Sequence, residues 1–144
     1  MTRPVPFQMT LQVRDTCLCL HAQRAARALA RRFDQALKPF GLTNGQFSLL
    51  MALNRPEPPA LGPVARLLAM DRTTLTAALK PLERAGLVET ATDPEDRRSR
   101  LLVLTQAGQD RLAAALPAWC ALHAEVETAV DDPAALRVGL AALS

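Results

Sequence analysis

The chain has 144 residues, enough for one domain with a modest core, and a formal net charge of +3, a weak basic excess that permits nucleic-acid binding without requiring it. Its apolar runs are too short for a signal peptide or a membrane-spanning helix, so we expect a cytoplasmic protein with no membrane partner. It has no glycine-rich phosphate loop, no convincing nucleophile and histidine arrangement and only 2 histidines, so we predict neither enzymatic activity nor a cofactor.

The first predicted element is a long helix, because the stretch 16–38 contains neither glycine nor proline. Apolar residues recur along it at helical spacing, so one side is expected to be buried. These residues are Leu18, Ala22, Ala25, Leu29, Phe33, Ala36 and Phe40. Thr43 begins a capping box for a second helix, 46–53, and the proline-rich segment 54–62 is predicted to be a stiff loop.

A helix-turn-helix is predicted next, from two short amphipathic segments separated only by a tight turn. The first segment is 61–70. The second begins after Asp71, a good N-cap whose carboxylate complements the helix dipole, and it ends at Gly86. Its buried stripe is Leu75, Ala78, Leu79 and Leu82, and its outer face carries Arg72, Thr73, Thr74, Thr76 and Lys80.

That outer face combines short hydroxyls with cations, a surface that suits the major groove of double-stranded DNA. Arginine bonds guanine there, and hydroxyls bond base edges or phosphates. We therefore expect Arg72 and Thr74 to influence sequence preference. An ordinary amphipathic helix with a solvated polar face is the alternative for this segment taken alone.

A β-hairpin follows, because two short apolar segments, 87–89 and 101–104, flank a polar turn that is broken at Asp93-Pro94. The turn carries Arg97, Arg98 and Arg100. On a plain surface loop these arginines would pair with neighbouring acids. Beside a DNA-reading helix, contact with phosphates or the minor groove is the better interpretation, so the hairpin is predicted to be a wing.

Two more helices are predicted at the carboxyl end, one capped by Thr105 and one, 133–143, capped by Asp132. The apolar stripe of the first is Leu112, Leu116, Trp119, Leu122, Val126 and Val130, with a kink expected at Pro117.

Both ends of the chain are thus apolar helices around a self-contained middle. Packing them only within one subunit would leave much of this surface in water, so we expect a homodimer. A monomer that folds these helices onto its own core is the alternative. The predicted layout is a single domain, 1–144, with dimerisation helices at about 11–40 and 106–144 and a winged helix-turn-helix at about 42–105.

Three motifs occur in order within residues 18–108: GLTNGQFSLLMAL, LERAGLVE and DPEDRRSRLLVLTQAG. Together they resemble the MarR family of bacterial transcription regulators, and the last matches that family's wing signature of an Asp and paired Arg before a strand and Leu-Thr-x-x-Gly. The resemblance implies a mainly α-helical winged helix-turn-helix fold with a small β-hairpin. It also implies a homodimer on a near-palindromic operator, usually a repressor, released by a ligand or by oxidation. Pro81, in the second half of the recognition helix, departs from the pattern.

The effector stays open among three chemical classes. A small organic ligand, the family's commonest effector and often an aromatic acid, would lie in the crevice between the dimer helices and the winged domain. Cationic candidates to hold its carboxylate are Arg14, His21, Arg24 and Arg27, and candidate apolar walls are Phe33, Phe47 and Met51.

The second class is an oxidant acting on Cys17, Cys19 or Cys120, which otherwise serve as small buried hydrophobes. By resemblance, Cys19 falls where the organic-hydroperoxide-sensing branch of the family has its peroxidatic cysteine, and Cys120 near a resolving cysteine of the other subunit. The chain departs from that branch because Gln23 and Phe33 occupy the positions of its two tyrosines.

A metal or metalloid is the third class, suggested by Cys17, Cys19 and His21. Residues two apart on a helix point about 200° from each other, which disfavours a shared ion, so no metal site is predicted. Outside gene regulation, a winged-helix protein-interaction module that does not bind DNA is the main competing hypothesis.

Overall fold

The computed structural model describes residues 3–144, which form a mainly α-helical fold with one two-stranded antiparallel hairpin, as predicted. In chain order the elements are α1 (Phe7–Thr16), α2 (Leu18–Leu37), one turn of 3-10 helix (Lys38–Phe40), α3 (Asn44–Leu53), α4 (Leu61–Leu67), α5 (Arg72–Arg84), β1 (Val88–Thr92), β2 (Arg100–Leu104), α6 (Gln106–Glu127) and α7 (Pro133–Ala142).

The buried core lies in the middle of the chain, where the end of α2, α3, α4, α5, the hairpin and the first half of α6 meet. Its largest fully buried members are Leu37, Leu49, Leu50, Leu75, Leu82, Leu102, Val64 and Val88. By contrast, Leu18 at the start of α2 is 68% exposed and Val138 in α7 is 72% exposed. The winged part therefore has its own core, while the terminal helices leave apolar surface uncovered in a single chain.

The predicted long helix is present as α2, which begins two residues after the predicted start, but a separate helix, α1, which was not predicted, precedes it. The break is at Cys17, whose backbone is extended (φ −69°, ψ 110°) and whose sulfur accepts a hydrogen bond from the Leu20 amide at 3.4 Å. The Thr16 hydroxyl donates to the Gln12 carbonyl at 2.6 Å. Both side chains thus serve helix ends, which interrupts the helix without glycine or proline.

The first helix of the helix-turn-helix is also shorter than predicted, ending at Leu67 rather than at position 70. Ala69 adopts a left-handed conformation (φ 53°), and its amide donates to Arg66 while the Met70 amide donates to the Ala65 carbonyl at 2.9 Å. This is the usual terminating arrangement of a helix, with alanine in place of the glycine that normally marks it.

The hairpin is longer than predicted on its first strand, which continues past position 89 to Thr92, paired with Arg100. The proline-rich loop before α4 adds to it, because the Leu102 amide donates to the Pro59 carbonyl at 2.8 Å and Ala60 forms a bridge with Leu101. The wing is thereby tied to the segment that leads into the helix-turn-helix.

A glycine in the first turn of α6 sets the distance between that helix and the wing. A Cβ at Gly108 would overlap the Leu87 carbonyl oxygen and the Leu104 side chain. Thr105, just before it, caps α6 by accepting from the Gly108 amide at 3.1 Å and donates to the Gly86 carbonyl at 2.7 Å. The Leu-Thr-x-x-Gly motif therefore joins α6 to the end of α5 and the start of β1.

We predict that Gly108→Ala lowers the free energy of unfolding by about 2 kcal/mol, because the added methyl forces α6 away from the wing. Urea denaturation measures the change. Gly45→Ala is the matched control, since a Cβ there meets nothing within 4 Å. Equal stability of the Gly108→Ala variant and the wild type would contradict the close contact.

Candidate nucleic-acid interface

The recognition helix α5 is anchored at its start by Asp71. One carboxylate oxygen accepts from the Thr74 amide at 2.7 Å and the other from the Thr74 hydroxyl at 3.0 Å. These bonds, the amide first, lower the pKa of Asp71 from its ordinary value of 3.8. The predicted N-cap is present, and it stays ionised at neutral pH beside the positive end of the helix dipole.

The predicted DNA-facing residues of α5 are exposed, while Leu75, Leu79 and Leu82 on the opposite side are buried. The exposed set is Arg72, Thr73, Thr74, Thr76 and Lys80. Within the helix, however, the Thr76 hydroxyl donates to the Arg72 carbonyl at 2.8 Å and the Thr74 hydroxyl serves the cap. Both hydroxyl protons are therefore engaged internally, which leaves these oxygens as acceptors toward a ligand.

Acidic side chains stabilise the turn of the wing by accepting hydrogen bonds from backbone amides. An Asp93 carboxylate oxygen accepts from the Glu95 amide at 2.9 Å, and an Asp96 oxygen accepts from the Arg98 amide at 3.1 Å. The three wing arginines, Arg97, Arg98 and Arg100, are exposed. Within residues 3–144 none of these arginines forms a salt bridge, so the salt-bridged loop considered above is not what the structure contains.

A crevice of about 220 Å³ lies between α2, α3 and α6, and aromatic rings line it. Trp119 stacks on Phe47 with ring centroids 5.8 Å apart and on His123 at 4.6 Å, and Phe33 lies 6.2 Å from Trp119. Two of the predicted walls, Phe33 and Phe47, are thus brought together. The rest of the lining, Leu37, Asn44, Ser48, Trp119 and His123, was missed, because it follows only from how α2, α3 and α6 pack together.

The predicted cations do not reach that crevice. His21, Arg24 and Arg27 line a separate open depression along α2, and Arg14 pairs with Asp15 in α1 at 2.7 Å. Met51, the third predicted wall, is 40% exposed on α3 and lies outside the crevice lining. The structure therefore divides the seven candidate pocket residues into unconnected groups.

The cysteines lie at two places in the chain. Cys17 is half-buried at the break before α2, whereas Cys19 and Cys120 are exposed. The Gln23 amide nitrogen donates to the Cys19 sulfur at 3.3 Å, one turn along the helix. Within residues 3–144, no three His, Cys, Asp or Glu side chains lie close enough together to hold a metal ion. In the same range, no helix combines the length and apolar character needed to cross a bilayer.

Comparison with known proteins assigns the chain to a family. A family model described as MarR family matches residues 40–99. The Mycobacterium tuberculosis transcriptional regulator MOSR, solved in complex with DNA, is 37% identical with a TM-score of 0.82, over 89% of this chain and 93% of that one. The chain belongs to the MarR family. The region matched by the MarR model runs from the 3-10 turn into the wing and so includes the exposed face of α5.

Two other similar proteins bear on the function. The transcriptional activatory protein BadR of Rhodopseudomonas palustris is 36% identical over 89 residues, which are 60% of this chain and 51% of BadR. Reduced AbfR bound to DNA is 33% identical with a TM-score of 0.66, over 77% of this chain and 76% of that one. The chain spans between about half and two thirds of the length of the curated MarR-like relatives matched first.

A carboxylate fastens α2 to α3 at the edge of the crevice. Asp34 accepts from the Asn44 amide at 2.7 Å and from the Asn44 side chain at 2.8 Å. These bonds, the amide first, lower the pKa of Asp34 from 3.8. A carboxylate with a lowered folded-state pKa stabilises the fold above its unfolded pKa, and this contribution is lost as the pH falls through the folded value.

We predict that Asp34→Asn costs about 1 kcal/mol of stability near neutral pH, because the amide accepts more weakly than the ion. The difference from wild type should shrink as the pH falls below about 4, as measured by urea unfolding across pH. Asp15→Asn is the control, since Asp15 forms only an exposed pair within α1. A difference that stays constant down to low pH would contradict the assignment.

Proposed function

We propose that the protein is a homodimeric DNA-binding transcription regulator, which inserts α5 into the major groove and sets the wing arginines against the backbone or minor groove. The observation that carries the proposal is the unpaired state of the three wing arginines beside a helix with an exposed polar face. Cations without acidic partners are available to phosphates. The similarity to MOSR, solved on DNA, supports the same reading.

Dimer formation is supported by apolar surface at the two ends of the chain. Phe7, Met9, Val13 and Leu18 near the amino end are exposed, as are Leu136, Val138, Leu140 and Leu143 at the carboxyl end. None of the α7 residues is buried. A second copy of the chain would cover these faces, and two-fold symmetry would give the two recognition helices matching half-sites.

A small organic ligand is the effector we favour, and the crevice between α2, α3 and α6 is its proposed site. The crevice joins terminal helices to the helix that precedes the helix-turn-helix, so an occupant would alter their relative arrangement. Three aromatic rings offer flat apolar walls, and Asn44, Ser48 and His123 offer hydrogen bonds.

We further propose that the protein represses transcription by occupying an operator. Because BadR is named an activator, a transcription assay decides the direction.

An oxidant is the second candidate effector. Cys19 and Cys120 are exposed, and the Gln23 amide donates to the Cys19 sulfur. In this alternative a hydroperoxide oxidises the Cys19 thiolate to a sulfenic acid and is reduced to the alcohol. Condensation with the thiol of the partner's Cys120 then forms a disulfide and releases water. The similarity to AbfR, which has been solved on DNA in reduced and overoxidised forms, favours this candidate.

Two other classes receive less support. The relatives described above are transcription regulators by name, which supports a non-enzymatic role. A protein-interaction module that ignores DNA would leave the wing arginines and the exposed α5 face without a ligand.

We predict that the double variant Arg97→Ala/Arg98→Ala weakens binding to every duplex tested, because wing contacts fall on the backbone. Each lost phosphate contact makes the negative slope of log affinity against log salt concentration shallower by about 0.9. Fluorescence anisotropy at several salt concentrations measures both effects. Arg84→Ala, at the far end of α5, serves as the control. Unchanged affinity of the double variant would remove the wing from the interface, and a flat salt response of the wild type would exclude the repressor.

We predict that the wild type sediments with twice the mass of the chain, and that Val138→Lys/Leu140→Lys yields monomers with much weaker duplex affinity. A lysine pair in a shared apolar interface is strongly unfavourable, whereas each chain keeps its own buried core. Sedimentation velocity and anisotropy test this. Met51→Lys, at an exposed position in α3, is the control. A wild-type monomer would contradict the proposal.

We predict that an aromatic effector changes the fluorescence of Trp119, the chain's 1 tryptophan, and releases duplex at the same concentration. Ser48→Phe, which fills the crevice, should abolish both responses, while Met51→Lys keeps them.

Non-reducing electrophoresis after treatment with mild hydroperoxide tests the alternative, in which the effector is an oxidant. A crosslinked dimer that Cys19→Ser removes and Cys17→Ser keeps, together with loss of duplex binding, would make the thiols the sensor.

A further inference from the structure

Two arginines of the helix-turn-helix converge over one glycine. Gly62 lies in the first turn of α4, and a Cβ built on it would be 3.2 Å from Arg72 Nη2 and 3.6 Å from Arg66 Nη1. Arg66 is on α4 and Arg72 is the first residue of α5. Both guanidinium groups therefore approach the same point at the junction between the two helices, next to space that a larger side chain at position 62 would occupy.

This pair of like charges lacks an anionic partner. Both side chains belong to exposed residues, and throughout the described range 3–144 neither arginine forms a salt bridge. The acid next to Arg72 in sequence, Asp71, is engaged with Thr74. Two neighbouring cations repel each other, and an anion between them would turn that repulsion into attraction.

The anion best suited to this arrangement is a phosphate diester. Guanidinium groups are planar and donate pairs of parallel hydrogen bonds that match the oxygens of a phosphate. The pair lies at the start of α5, the end of a recognition helix that enters the major groove, and phosphates border that groove on both sides.

We infer that Arg66 and Arg72 together bind one backbone phosphate of duplex DNA at the junction of α4 and α5. The inference rests on the proposed function. It adds Arg66, which sequence reasoning did not select, to the DNA-contacting residues. It also changes the role of Arg72, which then positions the protein on the backbone, whereas the sequence pattern suggested that Arg72 reads bases. Discrimination between bases is left to Thr73, Lys80 and the acceptor oxygens of Thr74 and Thr76 on the exposed face.

The test uses the full-length protein and a duplex that the wild type selects from a random-sequence pool. Affinity is measured against salt for the wild type, Arg66→Gln, Arg72→Gln, the double variant and Arg84→Gln as control. Because one shared phosphate is involved, the double variant should lower the salt slope by about 0.9 in total. Each single variant should weaken binding by the same factor on the selected duplex and on duplexes with single base-pair changes.

Several results would overturn the inference. A slope change of about 1.8 in the double variant indicates two separate phosphates. A changed base preference in Arg72→Gln makes Arg72 a base-reading residue, and full affinity in Arg66→Gln removes Arg66 from the interface. All these outcomes leave the proposed function intact, because the wild type still binds with a steep salt dependence. Loss of that dependence in the wild type would overturn both. Thermal unfolding of each variant verifies that the exposed substitutions leave the fold unchanged.

Discussion

Among the contacts between the winged half and the long helix α6, the closest approach of backbones is at Gly108, where α6 lies directly against the Leu87 carbonyl oxygen. Gly108 permits this approach because it has no side chain to overlap that oxygen. Thr105 fixes it, since its hydroxyl donates to the Gly86 carbonyl and its oxygen caps α6. The end of the recognition helix, the start of the wing and α6 are therefore held together by direct contacts, so a displacement of α6 would also displace the proposed DNA-binding elements.

Backbone capping also determines how charges are arranged on α5 and the wing. Asp71, Asp93 and Asp96 each accept a hydrogen bond from a backbone amide. Asp71 thereby stabilises the start of α5, and the other two acids stabilise the turn of the wing. The neighbouring arginines are left without carboxylate partners. A protein with a net charge of only +3 thereby keeps guanidinium groups free of carboxylate partners on α5 and the wing, because the placement of charges matters more than their total.

The opposite half of the chain contains the features that suit a sensor. The aromatic stack of Phe47, Trp119 and His123 spans from α3 to α6, while Cys19 and Cys120 lie on terminal helices whose apolar faces are uncovered in one chain. A ligand in the stack and a disulfide between subunits would both act on α6. Either signal would therefore reach the wing through the contact at Gly108.

Local signals in the sequence were sufficient for the helix-turn-helix, its cap at Asp71, its end at Gly86, the arginine-bearing wing and the cap at Thr105. Each of these features is built from one continuous stretch of the chain, so its pattern can be read along the sequence. The end of α4 at Ala69 and the break at Cys17 were not predicted, since neither residue is one that normally terminates a helix. Only the tertiary structure brought Trp119 and His123 to Phe47, separated them from the arginines of α2, and set Arg66 beside Arg72 over Gly62. Such contacts depend on how distant helices pack, and the spacing of residues along one helix does not encode that packing.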